Sequence, residues 1–204
     1  MSRTADRPAQ GEVLSRAVWD VLADQGLERL TVRAVAAAAG CTTGLVMHRF
    51  PNRRALLVHA RELLHETTKG RVEALEARAA TPREALRAVL QQGMAIDPAT
   101  ARESVVWTGF LAAAVADDEL LAMHRRNNRA WRERVERLVA AAAPEWPAAR
   151  VASVALGLIA MTEGVAALGA ADPVAYPVTD QERMLDDALD AYGLDAGTVR
   201  RGVL

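Results

Sequence analysis

A chain of 204 residues, 51% hydrophobic and 25% charged, has enough apolar material to bury a core without metals or disulfides, which excludes a disordered chain. The net charge of −1 argues against a nucleic-acid partner only until its distribution is read. Arg29, Arg33, Arg49, Arg53, Arg54 and Arg61 fall in one stretch free of Asp and Glu, so a negatively charged partner is expected at that end of the molecule.

Cys41 is the only cysteine, and His48, His59, His65 and His124 form no H-E-x-x-H pattern, so no disulfide, metal site or cofactor is expected. In the turn Cys41 reads as a small hydrophobe ahead of a redox sensor. Met1 to Pro8 has no apolar run, so no secretory leader is expected, and a reducing cytoplasmic location fits. The most apolar stretch, Val151 to Ala170, is interrupted by Ser153, Thr162 and Glu163 and reads as a buried helix, with no membrane partner.

Apolar residues recur at three and four, without sustained alternation, so the chain is expected to be all-α with nine helices. A first helix from about Gly11 to Ala23 carries Val13, Leu14, Ala17, Val18, Val21 and Leu22 on a wide apolar face, and Gly26 follows it as a left-handed stop. Thr31 caps a short second helix to Ala38, and Gly40 ends it. Thr42 and Thr43 open a third reaching Arg49. Asn52 caps a long fourth, to about Ala79. Thr81-Pro82-Arg83-Glu84 joins a cap, a first-turn proline and an acid at the capping-box position, starting the fifth. Asp97-Pro98 opens the sixth, and Asp117 or Asp118 caps a seventh from Glu119 to Ala142. The eighth spans Ala148 to Leu168, and Thr179 to Glu182 reads as a second capping box for the ninth.

Two short helices around a glycine turn, with a longer helix on each side, form a trihelical unit. Its second short helix can enter a major groove. Here the chain resembles the tetracycline-repressor (TetR) family of transcriptional regulators, from Val13 to Leu57, at Gly26, Thr31, Val32, Val35, Ala36, Ala39-Gly40, Gly44, Phe50 and Leu56. The resemblance implies a nine-helix TetR-like fold, with an N-terminal helix-turn-helix head and a C-terminal helical regulatory bundle. The remainder is similar to the family in layout and length, with a likeness to the subgroup of choline-responsive repressors. The expected division is a flexible arm over 1–10, a DNA-binding domain over 11–56, a ligand-binding and dimerisation domain over 57–194 and a tail over 195–204.

By position, the resemblance implies DNA contacts from Thr31, Arg33, Thr42, Thr43, Leu45, His48, Arg49 and Arg53. Met47 stands where the family places a phosphate-gripping tyrosine, and it cannot make that bond; Arg49 is the candidate replacement from the next turn. Arg53 stands in for a phosphate-binding lysine. Arg3 and Arg7 read either as a minor-groove arm or as solubilising residues.

A head this small covers one half-site, so the expected partner is double-stranded DNA with a palindromic operator, bound by a homodimer. The dimer interface is expected on the eighth and ninth helices, at Val151, Val154, Ala155, Leu158, Met184, Leu185, Ala188 and Leu189. A small-molecule effector is expected among Met94, Trp107, Phe110, Met123, Asn127, Trp131, Met161 and Glu163. Glu163, in an apolar helix, must be paired, protonated or used, and the reading stays divided between a pocket anchor and an ion pair. No nucleophile, base and orienter can be assembled, so an enzyme is not expected. The competing reading is a ligand-binding or protein-interaction module whose head has lost DNA affinity, with Met47 as its support.

Overall fold

The computed structural model describes residues 6–194, with side chains from residue 10 onward. Nine α-helices are found among the described residues: α1 (Asp6–Gln25), α2 (Val32–Ala38), α3 (Thr43–Arg49), α4 (Arg53–Arg78), α5 (Pro82–Gln92), α6 (Pro98–Ala114), α7 (Asp118–Ala142), α8 (Ala148–Ala171) and α9 (Val178–Ala191). A 3-10 turn at Leu27–Arg29 was not foreseen. The first helix already runs from Asp6, so residues 6–10 belong to α1. Arg3, the Arg7 side chain and the 195–204 tail lie outside what is described.

Most helix starts follow the local chemistry of the sequence. Thr81 Oγ1 accepts from the Glu84 N–H at 3.2 Å while Glu84 reaches back to the Ala80 N–H at 2.9 Å, satisfying amides that the first turn leaves open. Asp97 and Asp117 cap α6 and α7 in the same way, each accepting two backbone N–H groups. The α9 start departs from expectation. Helical geometry begins at Val178, after Pro177 at φ −65° and without a side-chain cap, so Thr179 lies inside the helix.

The chain packs as two compact units. Of the described residues, one comprises those up to Lys69 with Arg102–Arg126, and the other comprises Gly70–Ala101 with those from Asn127 to Leu194. The first unit takes in more than the segment 11–56. Leu14, Val18, Val35, Val46 and Leu56 share one core with Leu64 of α4, Val106 and Phe110 of α6 and Leu120 of α7.

The second unit is built around α8. Val151, Val154, Ala155 and Leu158, together with Leu185 and Leu189 of α9, are buried in its core with Leu86, Leu90 and Val135. These six residues, expected from sequence to meet a partner, are therefore spent inside their own subunit; only Met184 and Ala188 of that set stay partly exposed. An apolar helix gives no polar face by which its core side can be recognised, and the face it leaves outward is the opposite one. Ser153, Leu156, Ala160, Gly164 and Leu168 are exposed, Leu156 by 52% and Leu168 by 48%. By length and composition α8 could cross a membrane, but in this fold its Leu158 face is covered by protein. Close approach in this unit is made by glycine: a Cβ at Gly169 would stand 2.5 Å from Gln181 Nε2. Gln181 itself is buried and donates to the carbonyls of Tyr176 at 2.9 Å and Ala95 at 3.3 Å.

Candidate DNA-binding interface

The head is assembled by caps and a tight turn. Thr31 is extended at the N-cap of α2, and its Oγ1 accepts from the Ala34 N–H at 3.1 Å. Thr42 does the same for α3, accepting from the Leu45 N–H at 3.3 Å. Between them Gly40 takes φ 62°, a conformation that a Cβ opposes, and the Cys41 N–H returns to the Ala36 carbonyl at 3.0 Å. Val35, Ala36 and Val46 are buried in the shared core, which fixes the angle between the two short helices. Asn52 caps α4 through the Ala55 N–H at 2.9 Å.

This frame leaves Thr31, Arg33, Thr42, Thr43, Met47, His48 and Arg49 exposed, with Leu45 half-buried. The capping hydroxyls are already engaged by their own helices, so their remaining capacity and the nearby amides are what an oxyanion could meet.

The arginine run is not left bare by the fold. Arg53 donates to the Leu27 carbonyl at 2.7 Å and lies 3.8 Å from Glu28. Arg54 bridges Asp117 at 2.7 Å and Glu119 at 3.3 Å. Asp117 is held below its ordinary carboxylate range, first by the hydrogen bond from the Leu120 N–H and then by Arg54. Acids distant in sequence thus reach the acid-free run. Arg49 folds back over the Phe50 ring at 5.6 Å and beside Gly11, not toward the exposed face of α3. Arg29 and Arg33 stay exposed and form no ion pair among the described residues.

Two histidines in this unit were not selected from sequence, and Arg61, counted there in the basic run, is turned inward instead. Ser15 Oγ donates to the Gly11 carbonyl at 2.9 Å and sits 2.7 Å from His59 Nε2. Burial, and secondarily Arg49, lower the His59 pKa. Arg61 is buried with its guanidinium 4.8 Å from the Trp107 centroid and 5.5 Å from that of Phe110. The His124 ring lies 5.5 Å from Trp107, and desolvation followed by Arg61 and Arg125 lowers its pKa. The signal for Arg61 was present: it falls at helical spacing between Leu57 and Leu64 on the apolar side of α4.

The effector candidates fall in both units. Trp107, Phe110 and Met123 belong to the first; Met94, Asn127, Trp131, Met161 and Glu163 belong to the second. Phe110 and Met94 are fully buried in their own cores, while the other six are partly exposed. No group of three or more His, Cys, Asp or Glu side chains able to hold a metal occurs among the described residues.

Comparison with known proteins places this geometry. Residues 16–60 match the family model of bacterial regulatory proteins of the tetR family, and residues 82–193 match that of the BetI-type transcriptional repressor C-terminal domain. Both describe regulators of transcription, not enzymes. The HTH-type transcriptional regulator PksA of Bacillus subtilis (strain 168) is 28% identical over 114 residues, 56% of each chain, so just over half of that relative is spanned. The HTH-type transcriptional regulator BetI of Burkholderia mallei (strain NCTC 10229) is 30% identical over 152 residues, 72% of this chain and 74% of that one. A crystal structure of a transcriptional regulator from Rhodococcus sp. Rha1 superposes with a TM-score of 0.80 at 28% identity, covering 89% of this chain and 94% of that one. With one model spanning the head and the other more than half of the chain, this protein belongs to the TetR family of bacterial transcriptional regulators.

Proposed function

We propose that the chain is a homodimeric repressor that holds a palindromic operator through two helix-turn-helix heads and is released by a small molecule bound among the helices of its body. The observation that carries the reading is the head itself: Thr31 and Thr42 cap two short helices at a fixed angle, and α3 turns an uncovered face outward. The match of residues 82–193 to a repressor's C-terminal domain supports the direction of control. The dimer surface we assign is the outward face of α8, with Leu156, Ala160, Gly164 and Leu168, joined by Met184 and Ala188 of α9. Small residues along such a face let two helices approach closely. Effector binding would shift the dimer toward a spacing of heads that no longer fits successive grooves, so many phosphate contacts are lost together. Cytoplasmic action follows from this reading.

The test is fluorescence anisotropy of the purified protein on duplexes from the DNA flanking its own coding sequence, across a salt series. Repression predicts saturable binding to one duplex, preferred over unrelated DNA, with affinity falling steeply as salt rises. Binding seen only after a small molecule is added would reverse the direction of coupling. A second reading, a sensing module with weakened DNA affinity, is favoured by the engagement of Arg53 and Arg54 with Glu28, Asp117 and Glu119. It predicts no preference for any duplex at any salt.

A further inference from the structure

At about 100° per residue, Thr43, Met47, Gly44 and His48 occupy one arc of about 140° on α3, with Met47 inside it. All four are exposed. Arg49 falls about 100° beyond His48 on the same helical wheel, and its guanidinium rests against Phe50 and Gly11. The outward arc therefore has a hydroxyl at one edge, an imidazole at the other and an apolar side chain between them. Met47 is 54% exposed, while the neighbouring Val46 is fully buried.

A single exposed apolar residue is ordinary on a protein surface, but this one lies on the arc that the helix-turn-helix frame leaves uncovered. Resting on the DNA-binding reading above, we infer that Met47 is a specificity-determining residue that packs its thioether on the C5 methyl of a thymine in the major groove. Methionine has no donor and only a weak sulfur acceptor, so it can neither hold a phosphate oxygen nor pair with the polar edges of a base. The major groove offers one apolar feature, the thymine methyl. The unbranched, polarizable side chain conforms to such a group without a fixed rotamer. Gly44 keeps the adjoining surface low; a Cβ there would meet only Thr42 Oγ1 at 3.9 Å within the chain. Thr43 and His48, flanking Met47, supply the hydrogen bonds that the thioether cannot. Base readout thus rests partly on apolar contact where a phosphate grip is absent.

The experiment begins by selecting duplexes from a random-sequence double-stranded library with the full-length protein. Each thymine of the selected duplex is then replaced by deoxyuridine, which removes the methyl and nothing else. One thymine per half-site should respond, with affinity reduced about three- to fivefold, the scale of one apolar carbon withdrawn from contact. Met47→Ala, shown by urea unfolding to retain the stability of the parent, should bind the methylated and unmethylated duplexes equally. Met47→Leu should keep the preference. Indifference of the parent protein to every replacement, selected half-sites without thymine, or a preference surviving in Met47→Ala would each overturn the inference. Failure to enrich any duplex is a different outcome, which overturns the DNA-binding reading and this inference with it.

Discussion

Helices α3 and α8 both present an uncovered face, yet the two faces arise in opposite ways. In α3 (Thr43–Arg49) Val46 is held in the core while the polar or small Thr43, Gly44, His48 and Arg49 are exposed, so residue type sets most of the outward side, with Met47 as its apolar exception. In α8 nearly every position is apolar or small, and the outward side is whatever α5, α7 and α9 do not cover. Amphipathic patterning selects a face in the first case; packing partners select it in the second.

The sharpest test of the α8 assignment contrasts adjacent leucines. Leu158, fully buried, should cost about 2–5 kcal/mol in urea unfolding when changed to Ala, through lost burial and the cavity left behind. Leu156→Ala should change the stability of the protomer by no more than about 0.5 kcal/mol while weakening self-association in sedimentation equilibrium. Equal losses of stability at the two positions would erase the distinction between core face and partner face.

A second contrast lies along the same helix. Gly→Ala within a helix ordinarily stabilises by about 0.5–1 kcal/mol. At Gly164 nothing lies within 4 Å of an added Cβ, so that gain is expected when unfolding is followed at concentrations where the protein is monomeric. At Gly169 the new methyl would displace Gln181, which is buried and holds two carbonyls, and the expected result is a loss of about 1–3 kcal/mol. Stabilisation by Gly169→Ala would show that Gln181 is not pinned.

The caps carry the comparison to the head. Thr31→Ala and Thr81→Ala each remove one hydroxyl acceptor from a first turn and should each cost about 1 kcal/mol. Only Thr31→Ala should also weaken DNA binding in the anisotropy assay, beyond what its stability loss explains. If the two variants bind operator equally well, Thr31 is a cap and nothing more.

Much of this architecture was legible because capping is local. Thr31, Thr42, Asn52, Thr81, Asp97 and Asp117 act within three residues of themselves, and each does what its neighbours imply. The α9 start was misread because Pro177 sets the entry before Thr179 can act as a cap. Long-range pairing was the blind spot. Nothing around Arg54 signals that Asp117 and Glu119 will reach it, so the charge of the head was overstated by reading one segment alone. The eight effector candidates were chosen by size and polarity, which cannot separate a wall of a cavity from Phe110 or Met94 filling a core.

The smallest expected effect is a dependence of stability on pH that starts in the first unit. His59 and His124 are both lowered from 6.5, chiefly by burial. Arg49 adds to the effect at His59, where Glu66 opposes it, and Arg61 and Arg125 add to it at His124. A depressed histidine means that, as pH falls below 6.5, the unfolded chain takes up the proton before the folded one does. The unfolded state then binds more protons, so stability rises with pH in that window and falls as the solution is acidified. The paired carboxylates act lower. Asp186, held down first by the hydrogen bond from Arg87, and Asp117 contribute stability that is present above 3.8 and lost as pH falls through their lowered values. Urea unfolding between pH 7 and pH 5 therefore isolates the histidines. The parent protein should lose stability across that range, and His59→Gln with His124→Gln should flatten the slope while keeping amide donors at both positions. An identical slope in the double variant would show that neither ring titrates differently on folding, and the acid sensitivity of the head would have to come from the carboxylates alone.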